Sequence, residues 1–303
     1  MLTPGDTGML PVRGAWVTLH RIGQDSAGPV DSVRTGAHGE YEIRYRAAAD
    51  DSAAWTVSTT FAGIAHFSST FGEPDVAGDP AEIVVFDTTS AGGELHVRGR
   101  HLVVHAARAG EPRRVMEVFE LENDGPKTLL ARDGVVPVWR TSLPTQARGV
   151  TVDEGAFPAG TVRIERGELS LVAPITPGLR QLAIRYELPA SAFPLERRLA
   201  ESTEFLEVLV EDPLARVTAP GLDEVERATS EGHELRRFLA RQLAANAVVR
   251  VEVPTVARAR RGPVIAVLVG GTVLVLAAAF VLALRRPRDA GDPPALVGSR
   301  AST

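Results

Sequence analysis

The chain predicts an all-β fold, with two consecutive β-sandwich domains followed by one C-terminal transmembrane helix. Three observations carry this. Short runs alternate apolar and polar residues. Clusters of Gly, Pro, Asp and Ser punctuate them. Near the end stands an uncharged apolar run of 22 residues, 263–284 (PVIAVLVGGTVLVLAAAFVLAL). Period-two alternation is the mark of half-buried strands, and closely spaced short strands with turn signals mark a sandwich.

The first unit is expected over residues 1–72. Residues 15–22 (AWVTLHRI) set Trp16, Thr18 and His20 against Val17, Leu19 and Arg21. Residues 40–45 (EYEIRY) place Tyr41, Ile43 and Tyr45 on one face, and 54–60 and 64–67 continue the pattern. Turn-rich stretches at 23–29, 35–39 and 47–52 separate these runs. A linker, 71–80 (FGEPDVAGDP), closes the unit.

The second unit is expected over 81–254. Its strand candidates are 82–86, 94–106, 113–122, 135–139, 150–152, 161–166, 168–173, 181–188 and 204–210. Asn123-Asp124-Gly125-Pro126 reads as the turn of a hairpin and Pro177-Gly178 as a further turn. Residues 222–245 fit a helix, with Leu235, Phe238, Leu239 and Leu243 at spacings of three and four. They fit equally a strand over 234–243. A strand at 248–253 follows in either case.

At about 1.5 Å per residue, a helix over 263–284 spans roughly 33 Å, against a hydrocarbon core of about 30 Å. Arg258, Arg260 and Arg261 precede it and Arg285, Arg286 and Arg288 follow, so flanking charge does not decide orientation. Residues 285–303 form a short basic tail, expected to be disordered. Ala266 and Gly270 make a small-xxx-small pair that permits close helix approach. Such pairs arise by chance in an Ala/Gly-rich span, so a homodimer through them is not the expectation.

Composition excludes several classes of function. The chain has no cysteine, which rules out disulfides, thiolate nucleophiles and zinc–cysteine sites. Net charge is −5, without the basic footprint that nucleic acid requires. Lys127 is the only lysine, which leaves little room for Schiff-base chemistry. No nucleophile elbow, P-loop or dinucleotide fingerprint occurs.

The remaining constellations favour structural roles. His96, His101 and His105 share one segment. His101 and His105 would stand about 13 Å apart on a strand, too far to share a metal, and Arg98 and Arg100 lie among them. They are expected as exposed or capping side chains. His233-Glu234-Leu235-Arg236-Arg237 opens like a zinc-protease motif but has Arg where the second imidazole belongs. Glu117, Glu120, Glu122 and Asp124 read as a solvated strand face rather than a carboxylate pair. Asp75, Asp79 and Asp87 match no calcium-loop spacing. Trp16, Trp55 and Trp139 each lie in an apolar strand, which predicts core packing over a sugar-stacking platform. No catalytic, cofactor or metal residue is therefore assigned, and the chain is expected not to be an enzyme.

One stretch carries a resemblance. Pro11, Gly14, Ala15, Val17 and Leu19, followed by Thr35, Gly39, Tyr41 and Ile43, resemble the carboxypeptidase regulatory-like domain, a transthyretin-like β-sandwich, over residues 9–70. The resemblance implies an extracytoplasmic module and a left-handed residue at Gly39. The family begins with a strand for which the first ten residues are a poor match, so that strand is expected upstream of Met1.

The expectation is a single-pass cell-membrane protein with its body extracytoplasmic and its tail cytoplasmic. It would be a non-enzymatic binding or scaffolding component of a cell-envelope complex, with an envelope protein as partner. Two alternatives stand beside it. One is a regulatory accessory subunit of an envelope enzyme or protein-maturation system. The other is a carbohydrate or cell-wall binding module, which would show exposed Trp or Tyr on one sheet face.

Overall fold

A computed structural model describes residues 1–5, 8–45, 53–72, 79–92, 95–108, 110–153, 157–158, 160–230 and 232–254. The expected span 263–284, with its Ala266/Gly270 pair, and the tail 285–303 lie outside them. No helix among the described residues is long and apolar enough to cross a membrane. Their regular structure is all strand, apart from two three-residue 3-10 turns.

In the first unit, β1 (Leu2–Gly5) and β2 (Gly8–Pro11) form an antiparallel pair. Then β3 (Trp16–Ile22), β4 (Ala27–Arg34), β5 (Ala54–Phe61) and β6 (Ile64–Phe67) form a sheet in the order β4-β3-β5-β6. One face buries Val17, Leu19, Trp55 and Val57 with Met1, Ile83 and Val85. Two expectations change here. Residues 40–45 make no ladder. Their alternation is nonetheless real, since Tyr41, Ile43 and Tyr45 pack on the core while Glu42 and Arg44 point out. Periodicity reports burial, not pairing. Residues 82–86, expected in the second unit, carry only a bridge from Val84 to Leu2, and Ile83 and Val85 belong to the first core.

The second unit contains β7 (Thr88–Thr89), β8 (Leu95–Val104), β9 (Arg113–Asn123), β10 (Thr128–Leu129), β11 (Trp139–Ser142), β12 (Arg148–Val152) and β13 (Val162–Glu165). It continues with β14 (Glu168–Leu171), β15 (Gly178–Leu188), β16 (Leu195–Arg198), β17 (Thr203–Val210), β18 (Arg216–Thr218), β19 (Asp223–Ser230), β20 (His233–Leu243) and β21 (Val248–Glu252). Seven strands form one sheet in the order β12-β15-β9-β8-β17-β20-β19. Two three-stranded sheets, β11-β14-β13 and β16-β21-β18, share a large core with it. Neighbours in the large sheet run antiparallel except β8 and β17, which pair in parallel.

The ambiguity over 222–245 resolves as the antiparallel strands β19 and β20. The strand expected at 135–139 begins only at Trp139. Asp133 and Gly134 take φ of 53° and 68°, which makes a tight turn and leaves Val135 and Val136 exposed. The Asn123 turn does not close a hairpin. Its amide donates to the carbonyls of Lys127 and Ile175, each at 2.9 Å, and its Oδ1 accepts from Gly125 N, which sends the chain to β10 beside β7. Eight strands have no counterpart among the sequence candidates. Strands β1, β2, β7 and β10 are two to four residues long, too short to show alternation; Gly28 and Pro29 interrupt β4; and charged residues mask β16, β18 and β19.

Candidate binding face

The histidines of β8 meet carboxylates from its neighbours. On the face of the large sheet away from the main core, His101 Nδ1 lies 2.6 Å from Glu207 of β17, and its Nε2 lies 3.3 Å from Glu120 of β9. Gln181 donates to Glu120 at 3.2 Å and Arg237 to Glu207 at 2.5 Å. Burial alone would lower the His101 pKa, but the two carboxylates outweigh it and hold the group at about 9. His101 is thus buried in a charged row rather than exposed. His105 and His233 both approach Glu211, whose carboxyl is drawn down to about 2. There the hydrogen bonds from His105 and Ala106, with nearby His233, overcome the cost of burial.

His96, Glu122 and Asp124 bring possible ligand atoms within 4.8 Å of one another, which sequence reasoning missed because Glu122 sits on the adjoining strand and Asp124 just past its end. The nearest approaches are to opposite ring nitrogens: Glu122 and Glu204 at Nε2 (3.9 Å each), Asp124 at Nδ1 (3.5 Å). Arg98 already engages both oxygens of Glu122 at 3.1 and 3.3 Å. The carboxylates therefore flank the ring on both sides rather than converging with it on one point.

The acidic run is not a solvated face. Glu117 points into the core, where it meets Arg100, Arg197 and the Tyr186 hydroxyl. Burial would raise its carboxyl, yet the two guanidiniums pull it down to about 2. His233 and Arg237 lie on a strand, so the zinc-protease likeness loses the helical spacing it needs. Asp75 lies outside the described residues. Asp79 opens a 3-10 turn, and Asp87 contributes a backbone carbonyl to Thr128 N.

Neither of two cavities among the described residues holds a pair of carboxylates. A pocket of about 160 Å³ beside Thr89, Leu95, Leu129 and Val138 has Arg132 as its only charged lining residue. A second, of about 20 Å³, lies beneath Trp139 with Glu201, whose carboxyl is raised by burial. It has room for about one water.

The tryptophans separate. Trp55 and Trp139 are core residues at 5% exposure each, but Trp16 is 55% exposed. The expectation of a buried Trp16 fails because the buried face of β3 is that of Val17, Leu19 and Arg21. Register places the neighbours of Trp16. Thr18 pairs with Ser32 on β4 and Ser58 on β5, and Ser58 pairs with Phe67 on β6. Paired residues share a face, so Trp16, Thr18, His20, Ser32, Ser58 and Phe67 stand together on the side away from the core. Phe67 is 61% exposed. The polar groups between the rings hold one another: Thr18 and Ser32 hydroxyls at 2.9 Å, His20 Nε2 and Ser58 Oγ at 2.7 Å. Arg34, opposite Trp16 on β4, stacks 4.8 Å from the indole centroid.

No protein-family model and no characterised protein sequence matches the chain. Among solved structures, the crystal structure of an M1 zinc metallopeptidase from Deinococcus radiodurans is similar over 54% of this chain, at 14% identity and a TM-score of 0.33. The likeness covers 43% of that chain, less than half its length, and carries no argument about this protein's function.

Proposed function

We propose that this chain is a non-enzymatic binding module, held at a membrane by residues 263–284 with its body outside, and that its contact surface is the open face of the four-stranded sheet. One observation carries the reading. Two aromatic side chains, Trp16 and Phe67, stand more than half exposed on one sheet face with ordered polar groups between them. Isolated exposed apolar residues are ordinary, whereas a pair fixed by register on one rigid face points to recognition.

The resemblance of residues 9–70 to the carboxypeptidase regulatory-like domain supports the same reading. Thr35 joins the two halves of the motif: its hydroxyl donates to Val12 O at 2.6 Å and accepts from Ala15 N at 3.0 Å. Gly14 and Gly39 both take φ of 74°, the conformation expected of Gly39. The sheet edges are poor docking sites. Strand β4 carries Pro29 and a bulge opposite Leu19–His20, and β6 is four residues long. The face, rather than the edges, is therefore the surface to test. A membrane tether would keep it concentrated near envelope partners.

The test places a photo-crosslinking amino acid in the full chain in cells, at Thr60 beside the face or at exposed Arg163 on β13, with protease added to intact spheroplasts. The reading expects adducts from Thr60 and none from Arg163, and digestion of the body without lysis. Equal labelling, or no adduct at Thr60, would remove the face. Protection until lysis would remove the extracytoplasmic placement.

A further inference from the structure

We infer that the ligand of this face is a polysaccharide chain, whose sugar rings stack on Trp16 and Phe67 while their hydroxyls bond to Thr18, Ser58 and His20. The inference rests on the binding-face reading above and names its ligand class.

The geometry discriminates among occupants. Trp16 and Phe67 are separated by two strand spacings across the sheet and two residues along it, so their Cα atoms stand about 12 Å apart. One small ring does not span that distance; a short run of linked sugars does. The rings present apolar faces, and the floor between them presents hydrogen-bonding groups at Thr18, Ser58 and His20. A pyranose has the matching pattern of apolar C–H faces and equatorial hydroxyls.

A bilayer or a hydrophobic protein patch matches less well. Either would bury the floor hydroxyls against apolar groups without supplying partners for their remaining hydrogen-bonding capacity, which is costly. The two aromatics are also not contiguous, as the centre of a protein hot spot would be. Charge agrees with a neutral chain. Positions 16, 18, 20, 32, 58 and 67 of the face carry no carboxylate; Asp31, the next residue on β4, is engaged by Ser32 N at 2.7 Å, and Arg34 is stacked on Trp16.

The experiment uses the full chain in detergent micelles. Retardation in affinity gels is measured against soluble β-glucan, glycol chitin, mannan and solubilised cell-wall glycan, together with tryptophan fluorescence titrated with the matching hexasaccharides. At least one glycan should bind. Trp16→Ala and Phe67→Ala should each weaken it tenfold or more, Trp16→Phe should keep part of the affinity, and Ile164→Ala, on β13, should change nothing. Both aromatics are exposed, so unchanged circular dichroism should show the variants folded.

Binding that ignores both alanine substitutions would overturn the inference, as would no binding to any glycan. If glycans fail while the Thr60 crosslink forms, the face stands and the ligand class falls. If both fail, the face falls too. A third arm reconstitutes the chain into vesicles containing brominated lipid. Quenching that vanishes in Trp16→Ala would assign the face to the bilayer and reject the glycan.

Discussion

The two principal sheets treat their polar side chains in opposite ways. The seven-stranded sheet is built around charge that is already spent. Inside, Glu117 is held by Arg100 and Arg197; outside, Glu120, His101, Glu207 and Arg237 neutralise one another in a row across four strands. The four-stranded sheet carries hydroxyls, an imidazole and two uncovered aromatic rings. Charge saturated by its own partners contributes to architecture and has little left for a ligand. Hydroxyls beside exposed rings retain capacity for one.

The strongest test of that contrast is Glu117→Gln. It leaves two guanidiniums buried without their counter-charge and should cost about 3–5 kcal/mol in chemical denaturation. A loss under 1 kcal/mol would show the charges are not interdependent. Trp55→Ala should cost a similar amount, about 3–5 kcal/mol, through the cavity it leaves.

The outer row should appear as pH dependence. The His101 imidazole has an ordinary pKa of 6.5 and a folded value of about 9, so the folded chain keeps a proton that the unfolded chain releases. The resulting stabilisation, on the order of 3 kcal/mol, is complete below pH 6.5 and is lost as pH rises through 9. Denaturation at pH 6 and pH 10 should show the decline, and His101→Asn should flatten it. Glu117 and Glu211 act at the other end. Their folded values of about 2 lie below the ordinary 4.5, so their contribution holds above 4.5 and is lost as pH falls toward 2. The smallest expected effect is the most telling for the small sheet: Trp16→Ala should change stability by no more than about 0.5 kcal/mol. A large loss would make Trp16 structural and erase the contrast.

Most strands were legible, because alternation survives in the sequence wherever one face is buried. What alternation does not state is which of two faces is inside. The alternation sets Trp16, Thr18 and His20 against Val17, Leu19 and Arg21, as the strand does, but residue type points the indole inward whereas Arg21 is the buried partner. The charged row was hidden for a different reason. His101 and Glu207 are neighbours only through parallel pairing of strands distant in sequence, and no local pattern encodes that register. Strand β19, DEVERATS, lacks the apolar period that would announce it.

The seam between β8 and β17 also bears on how the chain reaches this state. His101 and Glu207 are 106 positions apart, and they meet at the centre of the large sheet rather than at its rim. Hairpins such as β19–β20 can zip as soon as they exist, whereas the central seam must await a long loop closure whose entropy is lost before any contact rewards it. Folding of this unit should accordingly be slow, with β8 exposing an open edge until β17 arrives, and a nascent chain would need that edge shielded throughout.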